Sequence, residues 1–429
     1  MRAVVVALGK IGLPLAAQIA RAGHEVVGCD ADERVVRLVS SGRAPFPGEA
    51  GLEAALADAL AAGRLRAQTD TAAAVAQGAD LVLAVPPLTV DGDARPDWRI
   101  LDAVVGDIGH GLRDGATPGT HTVVSFETTL PVGTTRGRIA PALEAASGLR
   151  EGEGFTLVFS PERVFSGRVF ADLATYPKLV GGLSEAGEQL GADRYRAFLD
   201  AEVWPMGGAE AAELAKLAET TYRDVNIAFA NELARAADAA GIDVDAVIRA
   251  ANSQPFSHIH RPGVAVGGHC IPVYPRFLLD GAPDALLPAT GRTVNDAMPA
   301  YAVGRLAELA GDLAGKRVLI LGVAYRGGVK ETAFSGAFAV RDALAEQRAQ
   351  VIAADPLYDA EELAALGFTP WPGDSVDAVI VQADHAAYAA LTPADLPGAS
   401  AILDGRGILD PAPFAAAGIP VRRLGRPDA

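Results

Sequence analysis

Cysteine is nearly absent: Cys29 and Cys270 are the only two in 429 residues. Two thiols so far apart make no disulfide framework and fit a protein kept in a reducing cytoplasm. Positive charge is the next shortage. Lys and Arg total 37 against 53 Asp and Glu, a formal net charge of −16. That argues against a nucleic-acid surface while leaving room for local basic pockets. Long apolar runs are also missing, and no stretch approaches the roughly 18 residues needed to span a membrane. The apolar opening is interrupted by Lys10, Gly12 and Pro14, and reads as strand, turn and helix rather than as a secretory leader. What is present is a half-hydrophobic chain with 47 glycines. It is expected to be a soluble, cytoplasmic α/β protein with tightly packed helices and two or three domains.

Residues 2–8 read as a buried strand. The turn Ala7-Leu8-Gly9-Lys10-Ile11-Gly12 follows, then a helix from about Pro14 to Ala22 and a strand Glu25–Cys29 ending in Asp30. This βαβ unit suits a dinucleotide pyrophosphate: Gly9 lets the backbone approach, Gly12 lets helix and strand pack, and the helix N-terminus attracts the anion. Ala7 stands at the first glycine position of G-x-G-x-x-G, so its φ is expected to stay negative. Asp30 follows Gly12 at close to the spacing at which an acid accepts the ribose hydroxyls. A carboxylate there repels a 2′-phosphate, so the expected cofactor is NAD and not NADP.

Strands Leu81–Val85, His121–Phe126 and Thr156–Phe159 run into Pro86-Pro87-Leu88, Glu127-Thr128-Thr129 and Ser160-Pro161-Glu162-Arg163. Open parallel sheets hold ligands at such carboxyl ends. Thr128 and Thr129 offer hydroxyls there, or ordinary turn caps. Glu162 is placed as a base or as a solvated loop acid, and Arg163 and Arg168 as an anion site or as solvated charge. From Gly208 a helix of about thirty residues carries Leu214, Leu217, Thr221, Val225 and Ala228 on one face. Such a helix bridges domains or forms a dimer seam. Lys216 and Thr220 fall one turn apart on it.

A shorter helix, Asp243–Asn252, leads past His258, His260 and Arg261 to Gly267-Gly268-His269-Cys270. The glycines are expected to give a ligand close access to the backbone, and Pro272 and Pro275 to stop the segment from continuing as a regular helix. A thiol on that turn becomes a nucleophile if its pKa is lowered. The two histidines and Cys270 lack a usual fourth ligand, so no metal is expected. A helix from about Asn295 to Leu313 precedes a second α/β unit. Its strands are Lys316–Leu321, Gln350–Ala354 ending in Asp355, Ala378–Gln382 and Ala401–Leu403, with a helix after Ser335. The expected fold is α/β: two Rossmann-like doubly wound domains, 1–195 and 299–429, joined by a central helical domain, 196–298, with the long helix.

Taken in order, these stretches resemble the UDP-glucose/GDP-mannose dehydrogenase family of nucleotide-sugar 6-dehydrogenases. The resemblance rests on the dinucleotide turn, E-T-T-L-P-V-G-T-T, S-P-E-R, A-E-L-A-K with R-D-V-N-I-A-F-A-N-E-L, G-G-H-C-I-P, L-G-V-A-Y-R and D-G-R. It implies a four-electron oxidation of a UDP-sugar C6 alcohol to a carboxylate, with two NAD⁺ and a thioester on Cys270. It further implies Glu162 as general base or water activator, Thr129 as a placer of that water, and Lys216 as the oxyanion donor. Thr220, standing where Asn is commoner, supplies one hydrogen bond. Cofactor contacts fall by resemblance on Gly9, Lys10, Ile11, Gly12, Asp30, Pro86, Thr128 and Thr129. Substrate contacts fall on Glu162, Arg163, Val164, Lys216, Arg261, Gly267 and Arg326, the last near the phosphates. A homodimer through the central helix is implied as well. S-P-E-R and G-V-x-V-G-G-H-C-I-P-V look like the branch acting on UDP-N-acetylhexosamines, GlcNAc or ManNAc. UDP-glucose and a non-oxidising sugar-nucleotide-binding relative are the alternatives. The chain departs from the family pattern at Tyr274, where an Asp is frequent, at Ala265 for a glycine, at Ala333 for an arginine, and in Val85-Pro86-Pro87-Leu88.

Overall fold

Ala3, Val4, Val5 and Val6 form a short apolar run without alternation, which a sheet covered on both faces requires. In the computed structural model, which describes residues 1–116, 121–165 and 167–426, that run is the buried centre of an eight-stranded sheet. The strands are β1 (Arg2–Val6), β2 (Glu25–Cys29), β3 (Leu65–Gln68), β4 (Leu81–Ala84), β5 (Thr122–Phe126), β6 (Phe155–Phe159), β7 (Lys178–Gly182) and β8 (Val203–Pro205). Their order is β8-β7-β6-β5-β4-β1-β2-β3, parallel except where β7 runs against β6. Helix α1 (Gly12–Arg21) buries Leu13, Leu15 and Ile19 in the core under this sheet. Because β1 pairs with both β2 and β4, the strand order reverses beside it. The loops after β1 and β4 therefore flank the crevice where such sheets bind nucleotides.

This sheet belongs to the first of two units, Met1–Glu219 with Arg276–Pro283; the second is Thr220–Pro275 with Asp284–Ala429. The division falls inside the 32-residue helix α2 (Ala209–Ala240) and inside α4 (Tyr274–Gly281), which follows α3 (Val244–Ala251). In the second unit α5 (Leu286–Ala310) packs along the distal part of α2. Arg292 and Asn295 hydrogen-bond the buried Asp224 carboxylate, each at 2.8 Å. Then come β9 (Arg317–Leu321), α6 (Gly336–Glu346), β10 (Gln350–Ala354), β11 (Ala378–Val381), β12 (Ala401–Asp404) and β13 (Val421–Arg423). They form a parallel sheet ordered β10-β9-β11-β12-β13. Ser335 caps α6 by accepting from Ala337 N–H. Among the described residues no helix is long and apolar enough to cross a membrane.

The structure corrects four local expectations. Ala7 has a φ of 72°, in the left-handed region, so β1 ends at Val6 and α1 starts at Gly12. Pro275 lies in the first turn of α4 rather than beyond a helix; a proline is tolerated there because that N–H needs no helical partner. The helix expected from Asn295 begins at Leu286. Strands β7 and β8 extend the first sheet where none was expected.

Candidate functional site

The nucleotide turn is built by close packing. A Cβ on Gly12 would lie 2.0 Å from the Ala7 carbonyl oxygen, whereas one on Gly9 would meet nothing within 4 Å. Gly12 is therefore required by the fold, and Gly9 leaves open space where a pyrophosphate needs access. Asp30 ends β2 with one oxygen accepting from Leu8 N–H at 2.8 Å and the other from Asp32 N–H at 3.0 Å. A carboxylate has about four acceptor sites, so Asp30 retains capacity for ribose hydroxyls while it braces the turn. Pro86, at the end of β4, is buried and its carbonyl accepts from Thr128 Oγ1 at 2.5 Å. Lys10 is half-buried, and Thr129 is buried. These features fit a dinucleotide with its phosphates at the turn and its ribose at Asp30.

Ile11, the residue before α1, lines a cleft together with Glu162, Arg163 and Val164. One residue of the expected cofactor set thus lines the same cleft as three of the expected substrate set. Lys216 Nζ lies 3.8 Å from Glu162 Oε2, with the two side chains only 8% and 14% exposed. The base candidate and the oxyanion candidate form an ion pair. Lys216 is placed by Glu213, one turn earlier on α2. The buried Glu213 carboxylate accepts from Gly133 N–H (2.5 Å), Thr135 N–H (2.8 Å) and Thr135 Oγ1 (2.6 Å). Burial pushes this carboxyl above its ordinary value although the Thr135 and Gly133 donors pull it back. The helix bearing Lys216 is thereby tied to the loop that follows Thr129. Arg163 is committed within the unit: it pairs with Glu219 and donates to the Pro177 carbonyl at 3.1 Å. Arg168 pairs with Asp172 at 2.9 Å.

In the second unit Cys270 sits on a turn whose carbonyl accepts from Val273 N–H (3.2 Å) and Tyr274 N–H (2.9 Å) as α4 begins. The preceding glycines serve a different approach from the one expected. A Cβ on Gly267 would lie 2.8 Å from Tyr325 Cβ and 2.9 Å from the Phe334 carbonyl oxygen, and Gly268 has a φ of 93°. Protein backbone and the Tyr325 side chain, rather than a ligand, occupy that space. Of the two thiols, Cys29 is pushed up to about 12, chiefly by burial, so it is inert as a nucleophile. Thr220 is buried on α2. Arg326 is exposed, and its Nε donates to Tyr325 Oη at 3.2 Å.

Arg261 lines a cleft of about 230 Å³ together with Arg249, Arg406, Arg423 and Arg426. Its walls hold two carboxylates, Asp245 and Asp404. Arg426 pairs with Asp245, Arg423 lies 3.5 Å from Asp404, and Arg406 donates to the Gln382 carbonyl at 2.6 Å. Five guanidiniums against two carboxylates make this a basic pocket in an acidic chain. Sequence reasoning missed four of the five, because they are scattered from 249 to 426 and only the fold gathers them. It also missed Glu127 and Lys178, which line the cleft beside Glu162.

Comparison with known proteins bears on the whole chain. Residues 1–199, 210–296 and 319–411 match, respectively, the NAD binding, central and UDP binding domains of the UDP-glucose/GDP-mannose dehydrogenase family. A UDP-N-acetyl-D-mannosamine dehydrogenase from Pyrococcus horikoshii is 34% identical over all of both chains. The structure of the UDP-D-ManNAc dehydrogenase from Pyrococcus horikoshii superposes with a TM-score of 0.88 at 31% identity, covering 100% of each chain. A UDP-glucose dehydrogenase from Pyrobaculum islandicum gives a TM-score of 0.85 at 29% identity, covering 95% of this chain and 94% of that one. Matched by all three domain models and by a relative 34% identical over its whole length, the chain belongs to the UDP-glucose/GDP-mannose dehydrogenase family.

Proposed function

We propose that this protein oxidises the C6 alcohol of UDP-N-acetyl-D-mannosamine to the carboxylate, with two NAD⁺ reduced and one water consumed per sugar. The observation that carries the chemistry is the Glu162–Lys216 pair, 3.8 Å apart, whose glutamate lines a cleft together with Ile11 of the nucleotide turn. Bound NAD⁺ supplies the hydride acceptor. Glu162 takes the proton that leaves the C6 hydroxyl and later activates the hydrolytic water, with Thr129 helping to place that water. The Lys216 ammonium donates to the oxygen that turns anionic, a role that gains strength where water is scarce. Cys270 adds as a thiolate to the aldehyde carbon, holding the aldehyde covalently through the second oxidation as thiohemiacetal and then thioester. Hydrolysis returns the thiol and releases the carboxylate. Thr220 donates to the substrate, and the basic pocket at Arg261, with Arg326, holds the nucleotide phosphates.

The choice of sugar is supported by the full-length likeness to the UDP-N-acetyl-D-mannosamine dehydrogenase of Pyrococcus horikoshii. A panel of UDP-ManNAc, UDP-GlcNAc and UDP-glucose, followed by NADH absorbance, tests it. UDP-ManNAc should give the highest kcat/KM and two NADH per sugar; a clear preference for UDP-glucose, or one NADH per sugar, refutes the proposal. We also propose a cytoplasmic homodimer. Tyr222 and Phe229, seven residues apart on α2, are 55% and 49% exposed and mark an apolar stripe suited to a second copy. Light scattering should give twice the chain mass, and Phe229→Glu should lower it.

A further inference from the structure

The groups assigned to proton transfer in the first unit sit on two loops, residues 127–129 after β5 and residues 160–163 after β6. A buried ion pair fastens one to the other. Glu127, 1% exposed, accepts from Lys178 Nζ at one oxygen and from Tyr195 Oη at the other, the latter at 2.6 Å. Tyr195 is fully buried and shares a 2.8 Å hydrogen bond with Ser125 of β5. Lys178 opens β7, and its ammonium also lies 3.5 Å from the carbonyl oxygens of Ser160 and Pro161, the two residues before Glu162. Glu162 N–H donates to the Glu127 carbonyl at 3.2 Å, and Ser160 Oγ donates to the Leu179 carbonyl at 2.7 Å. The loop of Thr129 is thus joined to the loop of Glu162 directly through the Glu162 N–H and, by way of β7, through Lys178.

A buried pair of this kind is a poor source of stability, since apolar side chains of similar volume fill such a space as well. What it supplies is direction: the ammonium binds one carboxylate and two carbonyls at once, and each is fixed relative to the others. We propose that Glu127 and Lys178 are positioning residues that hold the loop of Glu162 against the loop of Thr129, so that the Glu162 carboxylate is aimed at the reacting hydroxyl or water. The proposal rests on the reading of Glu162 as the base.

The test uses full-length enzyme. Lys178→Met alone strands a buried carboxylate, so the principal variant is the neutral pair Glu127→Gln with Lys178→Met, in which Tyr195 can still donate to the amide oxygen. Its kcat should fall roughly 10²-fold, with KM for NAD⁺ and UDP-sugar changed by no more than about threefold. Lys178→Arg, which keeps the charge, should recover part of the loss. Independently of turnover, amide hydrogen exchange should quicken at residues 160–164 in the neutral pair and stay unchanged in the core of β6. Unchanged exchange, or a kcat within about threefold of wild type, overturns the proposal. Wild-type enzyme that forms no NADH from any UDP-sugar would instead overturn the assigned reaction, and the exchange measurement would still decide whether the clamp exists.

Discussion

Gly9 and Gly12 share one turn, yet substitution by alanine should separate two consequences that are often merged. At Gly12 the added Cβ would stand 2.0 Å from the Ala7 carbonyl oxygen and 3.2 Å from its carbon. Carbon and oxygen ordinarily stay about 3.3 Å apart, so helix and strand must separate by roughly 1.3 Å. Overpacking of this kind costs about 1–3 kcal/mol, and a clash with backbone belongs at the upper end. At Gly9 the Cβ meets nothing within 4 Å, so stability should change by less than about 0.5 kcal/mol. The methyl would nevertheless fill the space proposed for the pyrophosphate. Urea unfolding of the NAD-free protein measures the first quantity, and calorimetric titration with NAD⁺ the second. Gly12→Ala should lose about 3 kcal/mol. Gly9→Ala should unfold like wild type but bind NAD⁺ at least tenfold more weakly, ~1.4 kcal/mol. Equal destabilisation by both, or normal NAD⁺ affinity in Gly9→Ala, would refute the reasoning.

The remaining predictions concern neighbouring groups. Ala7→Gly should stabilise the protein by up to about 1 kcal/mol in urea, the relief of a left-handed alanine less the added entropy of the unfolded chain. Cys270→Ser should still bind NAD⁺ and UDP-sugar in calorimetry but lose uronate formation; near-normal uronate would rule out the thioester. Lys216→Ala should lower kcat roughly 10²–10³-fold. Asp355 is opposed by burial, but hydrogen bonds from His385, Leu357 N–H and Ala324 N–H prevail and hold its carboxyl below the ordinary value. Its contribution is therefore present above about pH 3.9 and lost as pH falls through the depressed value. Asp355→Asn should lower the urea midpoint at pH 7, and the difference from wild type should shrink at pH 3; a constant difference would contradict the assignment.

Most strands were legible because burial on both faces leaves continuous apolar runs, and Glu25–Cys29 and Gln350–Ala354 were read to the residue. Strand β7 was not, because Lys178-Leu179-Val180-Gly181-Gly182 holds a lysine and two glycines that argue against a strand. The reason those residues are tolerated is tertiary. Glu127 neutralises the lysine, and a Cβ on Gly181 would stand 2.2 Å from the Gly208 carbonyl oxygen. The site divides in the same way. Glu162 and Lys216 could be read from motif order, but Glu127 and Lys178 are 51 residues apart. Each looks like an ordinary solvated charge until the sheet brings them together. Ala7 shows the reverse failure: a negative φ was the sound expectation for alanine, and the packing of Gly12 against its carbonyl overrode it.

The two α/β sheets also use one device for opposite ends. In each, an aspartate ending the second strand accepts from a backbone N–H just beyond the first: Asp30 from Leu8, and Asp355 from Val323, both at 2.8 Å. In the first unit the chain enters α1 within a few residues, and Asp30 stays half-exposed beside a glycine turn with acceptor capacity left. In the second the chain wanders from Gly322 to Ser335 before α6, and Asp355 is sealed by Ala324 N–H and by His385 Nε2 at 3.1 Å. A buried carboxylate spent on four donors, Leu357 N–H among them, has nothing to offer a ribose. In the same unit arginines from α3, the loop after it, the loop after β12 and the C-terminal segment gather in one cleft, the place proposed above for the nucleotide phosphates. The aspartate that ends the second strand is thus left open in the NAD binding domain and sealed in the UDP binding domain.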